Sequence, residues 1–264
     1  MTNNKLSVVL IGAGNVATQT ALALQEKETS ILQVFSRTEQ SARTLAELCN
    51  CSFTADTKAI SPEADIYLYA VKDDALPELI QQINIKTGIH VHTAGSVPIS
   101  VFEGFRTNFG VFYPMQTFSK SKQVKFDNIP IFVEANSAQN LEVLDRLGKK
   151  LSNNVIHCSS TQRQALHLAA VFCCNFTNHL YKVTDDLLKQ SNLPFEVVLP
   201  LIQETVDKLH YLSPAEAQTG PAVRYDTTVI NKHLNALKDM PDEQALYALF
   251  SKRIHDAAEN KAGS

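Results

Sequence analysis

The chain of 264 residues has no tryptophan, only three methionines, and no apolar run long enough to cross a membrane. It also lacks a surplus of one charge, because 27 acidic residues face 24 lysines and arginines. The two signs are mixed along the sequence, which leaves no basic patch for nucleic acid or an anionic membrane. We therefore expect neither as a partner, and a small molecule as the substrate.

The five cysteines are an odd number without metal-site spacing. Cys49 and Cys51 stand two residues apart, and Cys173 and Cys174 are adjacent, so no C-x-x-C pair is present. This pattern favours packed, free thiols in a reducing compartment and no metal site. The first apolar run is interrupted by two glycines and lacks a small-residue cleavage pattern, unlike a signal peptide. We expect a cytoplasmic protein.

Short apolar runs alternate with amphipathic stretches through the first 158 residues. Runs too short for helices and bounded by turn residues predict buried strands. The predicted strands are 7–11, 31–35, 52–54, 64–71, 88–93, 108–114, 129–135 and 154–159. The predicted helices are 15–27, 41–48, 75–83 and 138–151. This alternation predicts an α/β fold of the Rossmann type, a doubly wound and mostly parallel sheet with right-handed crossovers.

After residue 158 helices follow one another and no further strand is predicted. Apolar residues recur there at alternating steps of three and four over about six turns, which predicts a seam against other helices. The seam consists of Leu166, Ala169, Cys173, Phe176, Leu180, Val183 and Leu187. We predict a sheet domain over 1–158 and an all-α domain over 159–264. A small helical domain rarely buries such a stripe alone, so we expect a homodimer through it.

The first strand is followed by Gly12-x-Gly14-x-x-Ala17, which opens the first helix. In dinucleotide sites the first glycine permits a tight turn, the second lets the backbone approach a pyrophosphate, and the small residue packs helix on strand. Free amides of the helix's first turn then face the phosphates. The alternative is an ordinary turn in the core, which the order of elements disfavours. The residues predicted to bind the pyrophosphate are Gly12, Ala13, Gly14, Asn15 and Val16.

The end of the second strand indicates which dinucleotide is bound. NAD sites place an Asp or Glu there for the ribose, whereas this chain has Ser36, Arg37 and Thr38. A guanidinium pairs with a 2′-phosphate through two hydrogen bonds, so NADP(H) is the predicted cofactor. The alternative for Arg37 is an ordinary surface arginine. Val71 and Lys72, after the fourth strand, are predicted to lie beside the cofactor.

Several motifs occur in the same order as in a known family. They are "IGAGNVA", "FSRT", "AVKDDAL", "HTAGS", "YPMQTF", "LHLAAVFCCNFTNHL" and "TGPAVRYDTTVINKHL". The chain resembles a family of NADP oxidoreductases that pair a Rossmann-like domain with an all-helical C-terminal domain. It is similar, more distantly, to pyrroline-5-carboxylate reductase and the 6-phosphogluconate dehydrogenase superfamily. The resemblance implies the fold, a bound nicotinamide cofactor and dimerisation through the helical domain, and it implies no substrate.

Two positions depart from these relatives. Family members carry a histidine where this chain has Tyr113. The hydroxyacid dehydrogenases of the superfamily place a catalytic lysine four residues before an asparagine. If Asn175 is that asparagine, the lysine position holds Val171, so their proton-transfer lysine does not carry over.

Hydride transfer to a carbonyl or imine needs a proton partner and a donor to the developing charge. We predict His92, His167 and Asn175 as catalytic residues, and Ser96, Gln116 and Arg224 as substrate contacts. The alternatives are structural: His92 caps its strand, His167 is a satisfied polar residue at the domain junction, and Arg224 fixes a loop. Asp226 is predicted to cap a helix.

Two functions follow from these features. The first is an NADP-dependent reductase or dehydrogenase that acts on a small carbonyl, imine or hydroxy compound. The second is a non-catalytic NADPH-binding sensor or scaffold that acts through its helical domain, which the missing lysine and the tyrosine in place of histidine favour.

Overall fold

The computed structural model describes residues 5–27 and 29–262, and within these ranges the last strand ends at His157. The strands are β1 Ser7–Ile11, β2 Ser30–Phe35, β3 Ser52–Thr54, β4 Ile66–Tyr69, β5 Ile89–His92, β6 Phe109–Pro114, β7 Ile131–Ala135 and β8 Val155–His157. The helices are α1 Asn15–Glu26, α2 Glu39–Cys49, α3 Leu76–Gln82, α4 Ala138–Leu151, α5 Ser160–Ala170, α6 Thr177–Gln190, α7 Leu199–Asp207, α8 Pro214–Ala217, α9 Thr227–Ala236 and α10 Pro241–Ala262. The predicted strands and helices of the sheet domain are confirmed, with differences only at their ends.

The eight strands form one sheet in the order β3-β2-β1-β4-β5-β6-β7-β8. From β1 the chain winds to one side through β2 and β3, then crosses to the other side for β4. Ligands bind in such sheets where the winding reverses, outside the carboxyl ends of the strands. The predicted Rossmann-type architecture is confirmed, and it places the binding crevice between β1 and β4.

Side chains alternate between two buried layers because both faces of the sheet are covered. Val8 and Leu10 pack on one face with α1, α2 and α4. Val9 and Ile11 pack on the other face with α3 and the short helical turn Ile99–Phe102. Continuous apolar runs in the sequence are therefore what this doubly covered sheet requires.

One strand pair runs against the expected direction. β6 and β7 are antiparallel, with Phe112 opposite Val133. A parallel pair needs a long crossover, usually a helix, and the segment between these strands instead lies along α1. The side-chain amide of Asn15 donates to the Phe118 carbonyl at 2.9 Å. Gln19 donates to the Ser119 carbonyl at 2.7 Å and accepts from the Val124 amide at 3.1 Å.

The chain divides into two compact units, the first ending at Cys174 and the second beginning at Asn175. The first unit thus contains the sheet and α5, and the domain boundary at residue 158 stays a prediction. Between α5 and α6, Val171–Phe176 forms a π-helical stretch that the regular seam spacing did not predict. None of the helices in the described ranges is long and apolar enough to span a membrane.

Two helix N-termini of the second unit have the capping residues that the sequence predicts. Ser213 and Glu216 form the predicted capping box at the start of α8, where each residue binds the backbone of the other. The Asp226 carboxylate accepts the Val229 amide at 3.2 Å, so the predicted cap of α9 is confirmed.

A buried ion pair fixes α5 to the sheet within the first unit. The Arg163 side chain is 0% exposed and donates to the Glu134 carboxylate of β7. Glu134 also accepts from the backbone amide and hydroxyl of Ser160 at the start of α5. Arg163 donates as well to the carbonyls of Ala94 and Val97, in the loop after β5. The sequence did not reveal this network, because its members are far apart along the chain.

Replacement of Glu134 should weaken the first unit strongly. Glu134→Gln leaves the buried Arg163 guanidinium without its counter-charge, and removal of one partner of such a pair costs about 3–5 kcal/mol of unfolding free energy. Glu39→Gln is the matched control, because its partner Arg43 lies with it on the exposed face of α2. That pair contributes about 0.5 kcal/mol or less. Urea denaturation measures both, and equal losses would contradict the importance of the buried pair.

Candidate functional site

A cavity of about 720 Å³ opens at the carboxyl ends of the strands in the first unit. The ten residues predicted to bind cofactor all line it. They are Gly12, Ala13, Gly14, Asn15, Val16, Ser36, Arg37, Thr38, Val71 and Lys72. Three positions predicted from quite separate parts of the sequence thus meet at one surface: the glycine turn, the end of β2 and the end of β4.

The glycine turn after β1 lies directly against the residue that follows β4. Gly12 has φ of +121°, and its amide donates to the Phe35 carbonyl at 2.8 Å. A Cβ at this position would lie 2.2 Å from the Ala70 carbonyl oxygen, so no other residue fits. Gly14, which precedes α1, would meet no atom within 4 Å and leaves the helix's first turn open to the cavity. Its free amides fit a pyrophosphate.

Hydroxyls and a guanidinium surround the end of β2. Arg37 is exposed on the cavity wall and makes no ion pair with any described residue. The Thr38 hydroxyl donates to that of Ser41 at 2.8 Å. Ser41 also lines the cavity, although it was not among the residues predicted to bind the cofactor. Its position three residues after Thr38, in the first turn of α2, was the available signal. Two hydroxyls and a free guanidinium are suited to bind a phosphorylated ribose.

A tyrosine and a histidine face each other at another part of the cavity. The Tyr113 hydroxyl lies 3.4 Å from Nδ1 of His167, and both residues line the cavity. The His167 ring packs on Gly95, where a Cβ would lie only 2.6 Å from Nδ1. Burial, more than any nearby charge, raises the pKa of Tyr113. The sequence predicted His167 here, whereas Tyr113 had appeared only as a departure from the family.

Of the two predicted substrate contacts in the first unit, one lines the cavity and the other does not. Gln116 lines the cavity and accepts the Thr117 amide at 2.8 Å. Ser96 does not line it, and its hydroxyl donates to the carboxylate of Asp73, which does. Ser96 therefore binds a residue of the cavity wall, Asp73, and does not face the cavity itself.

His92 lies away from the cavity, against expectation. Its side chain is fully buried in the apolar layer beside α3, stacked on Phe102 with ring centroids 5.8 Å apart. Nδ1 accepts the amide of Ala94 at 3.1 Å. Burial, assisted by the Arg163 charge, lowers the pKa of His92 to about 3, so the ring stays neutral. The structural alternative fits this position, because side chains of the strand itself point into the layers and only the residues after it face the crevice.

Two predicted residues, Asn175 and Arg224, belong to the second unit. Their roles at the cavity stay predictions. The described ranges contain no group of three His, Cys, Asp or Glu side chains suited to a metal ion.

Two family models match the chain. Residues 7–95 match the model described as NADP oxidoreductase, coenzyme F420-dependent, and residues 129–254 match a domain of unknown function, DUF2520. No curated protein matches. The crystal structure of "putative NADP oxidoreductase BF3122" from Bacteroides fragilis is 50% identical, covering 96% of this chain and 98% of that one, with a TM-score of 0.92. The chain belongs to the NADP oxidoreductase family.

More distant structures share the fold of this NADP oxidoreductase. The imine reductase from Myxococcus stipitatus, in complex with NADP⁺, is 15% identical, with a TM-score of 0.69 and coverage of 96% and 94% of the two chains. Pyrroline-5-carboxylate reductase from Streptococcus pyogenes is 11% identical, with a TM-score of 0.66 and coverage of 96% and 100%. The resemblance to the NADP oxidoreductase family is confirmed, as is NADP(H) as the cofactor. Pyrroline-5-carboxylate reductase shares the fold, whereas the similarity to the 6-phosphogluconate dehydrogenase superfamily stays a prediction. The protein is an enzyme, so the non-catalytic sensor is set aside.

Substitutions of the two glycines of the turn should have different effects. Gly12→Ala places a methyl group against the Ala70 carbonyl and forces a positive φ on alanine, so the protein should unfold at lower urea. Gly14→Ala has free space and ordinary φ, so it should fold normally but bind NADPH about tenfold more weakly, because the methyl group blocks backbone approach to the pyrophosphate. Urea denaturation and calorimetry with NADPH separate the effects. A Gly14→Ala variant with native NADPH affinity would contradict this placement.

Proposed function

We propose that this oxidoreductase transfers hydride between NADP(H) and a small carbonyl, imine or hydroxy compound. One observation carries the proposal. A single cavity contains the open N-terminus of α1, the free Arg37 and, elsewhere on its wall, the half-buried pair Tyr113 and His167. Phosphate-binding groups and proton-carrying groups on one cavity are what a nicotinamide reductase needs.

The residues present fit the cofactor. The first-turn amides of α1 would bind the pyrophosphate, since Gly14 leaves them uncovered and the first turn carries no acidic side chain. Ser36, Arg37 and Thr38 would bind the phosphorylated ribose. The cofactor, when bound, supplies a hydride to the substrate carbon. Every other requirement of the reaction falls to the protein.

His167 is the residue predicted to take part in the proton transfer that accompanies hydride transfer. As hydride arrives at the carbon of a C=O or C=N bond, negative charge develops on the heteroatom and must be neutralised. His167 lies on the cavity wall and is only partly buried, so protons exchange between its ring and water. Gln116 and the Asp73 carboxylate offer polar groups that orient a small substrate. Arg224 and Asn175 remain proposed contacts from the second unit.

A homodimer through the helical region is the second part of the proposal. In the described residues of the second unit, the buried apolar side chains are those of Ala222, Ile230 and Leu237. Leu180 and Leu187 of the seam are 37% and 38% exposed, and Leu201 is 68% exposed. Apolar surface on this scale marks an interface. A second copy is the partner that covers it most simply, because a self-complementary stripe pairs about a two-fold axis.

NADPH oxidation at 340 nm with 1-pyrroline, cyclohexanone, pyruvate and glyoxylate tests the function. We expect turnover with at least one of these probes. Arg37→Ala should lower kcat/KM for NADPH by about 10- to 150-fold and leave NADH unaffected, since a hydrogen bond to a charged group contributes about 1.5–3 kcal/mol. Arg43→Ala is the control, because that exposed arginine pairs with Glu39 outside the cavity. Equal losses with both nucleotides would contradict the role of Arg37.

The dimer is tested by sedimentation in solution. The double variant Leu180→Asp, Leu187→Asp places charges on the exposed seam and should sediment as a monomer with a lower thermal midpoint. Leu48→Asp is the control, because Leu48 is 55% exposed on α2 in the first unit. It should leave the dimer intact. A wild-type protein that sediments as a monomer at micromolar concentration would contradict the proposal.

A further inference from the structure

We propose that Tyr113 gives the proton to the reduced substrate, and that His167 stands behind it and restores that proton. The inference rests on the proposed hydride transfer and identifies the group that donates the proton to the substrate. Tyr113 is the penultimate residue of β6, where the strand ends at the cavity. It was not among the residues predicted to be catalytic.

The geometry of the pair supports this order. The Tyr113 hydroxyl and His167 Nδ1 are 3.4 Å apart, and the rings meet edge to face with centroids 6.3 Å apart. The Tyr113 ring also packs on Phe132 of β7, with centroids 6.3 Å apart. The phenol is thus held between an apolar wall and an imidazole, while its residue still lines the cavity. A hydroxyl in this position can donate to a substrate on one side and exchange a proton with His167 on the other.

The charges around Tyr113 keep its proton in place until it is needed. Burial raises the pKa of Tyr113, the Asp73 carboxylate raises it further, and the Arg163 guanidinium lowers it. The Arg163 charge is itself neutralised by Glu134. The net direction is upward, so the phenol is fully protonated at neutral pH. An alkoxide or amide ion that forms in the cavity is a far stronger base than a phenolate, and it takes this proton readily.

Gly95 and Arg163 are positioning residues for the pair. Arg163 stands one turn before His167 on α5, so both side chains lie on the same face of the helix. Through the carbonyls of Ala94 and Val97, Arg163 binds the loop on both sides of Gly95. Gln164 donates to the Ser96 carbonyl of the same loop at 2.8 Å. The loop backbone therefore contacts the His167 ring directly, and Gly95 leaves the ring the space it occupies.

The proposed reduction transfers one hydride and one proton to the substrate. As a C–H bond of the reduced nicotinamide breaks, its hydride would form a C–H bond at the carbon of the C=O or C=N group, and NADPH would be oxidised to NADP⁺. The π electron pair of the substrate would move to the oxygen or nitrogen. That atom takes the proton of the Tyr113 hydroxyl. The phenolate takes a proton from His167, and His167 takes one from the solvent, so the reaction consumes one proton from solution for each NADPH oxidised. The substrate gains two electrons and two hydrogens, and the protein ends as it began.

A titration by NMR tests the pair without any substrate. In protein labelled with ¹³C at the tyrosine Cζ and ¹⁵N in histidine rings, Tyr113→Phe assigns one phenol signal and should shift the Nδ1 signal of His167. His167→Gln should move the pKa of the Tyr113 phenol, and Gly95→Ala should alter both signals because its methyl group displaces the ring. Tyr211→Phe is the control, since Tyr211 is 68% exposed in the second unit. A His167 signal indifferent to Tyr113→Phe would overturn the proposal.

Kinetics with the probe that the wild type reduces best forms the second arm. Tyr113→Phe should lower kcat about 100-fold or more, the range of general acid catalysis, with KM and the calorimetric Kd for NADPH within twofold of the wild type. The alkaline fall in kcat, which reports loss of the phenol proton, should disappear in Tyr113→Phe. Gly95→Ala should lower kcat less and keep that fall.

The outcomes distinguish this inference from the function on which it rests. A wild type that reduces a probe while Tyr113→Phe keeps full kcat leaves the reductase in place and overturns the assignment of Tyr113. A wild type that binds NADPH but reduces none of the probes contradicts the proposed function and with it the proton donor. Loss of kcat together with coupled NMR signals supports both.

Discussion

The close approach of Gly12 to Ala70, just past the ends of β1 and β4, is the constraint on which the geometry of the cavity depends. One backbone amide binds the end of β2 while the same residue lies against the Ala70 carbonyl at the end of β4. Three strands therefore end at a common level, and α1 begins from that point with its first amides uncovered. A Cβ at this position would lie 2.2 Å from the Ala70 carbonyl oxygen and would have to adopt a positive φ, so this arrangement of strand ends requires glycine.

The sequence was sufficient for most of the sheet and for the part of the cavity around the glycine turn. β1, β3 and α4 begin and end at the predicted residues, because short apolar runs and capping residues are local signals. That the residues predicted to bind cofactor would meet at one cavity was predictable for a similar reason, since they follow the ends of neighbouring strands. The antiparallel β7 was not, because strand direction depends on how the segment after β6 folds back on α1, and that is decided by amides 100 residues away.

The other end of the cavity shows where local patterns stop being informative. Alternation along β5 does not tell whether His92 reaches a ligand, because both faces of the sheet are covered and the strand is buried on both sides. His92 accordingly lies in a core layer, while the catalytic prediction for His167 remains open to test. Tyr113 was visible in the sequence only as a missing histidine. The fold gives that substitution a meaning, because it places the phenol against an imidazole from a helix that begins 47 positions later.

Gln19 illustrates how a helix surface can organise a polar segment with little apolar content of its own. The stretch from Ser119 to Gln123 contains no large hydrophobic residue, yet Gln19 donates to two of its carbonyls and accepts the amide of Val124. The side chain of Gln19 thus forms hydrogen bonds with three main-chain groups that a neighbouring strand would otherwise satisfy. Substitution of Gln19 by another good helix former would leave α1 intact but remove the hydrogen bonds that hold the segment from Ser119 to Val124. Helix propensity is therefore a poor guide to which residues position 19 tolerates.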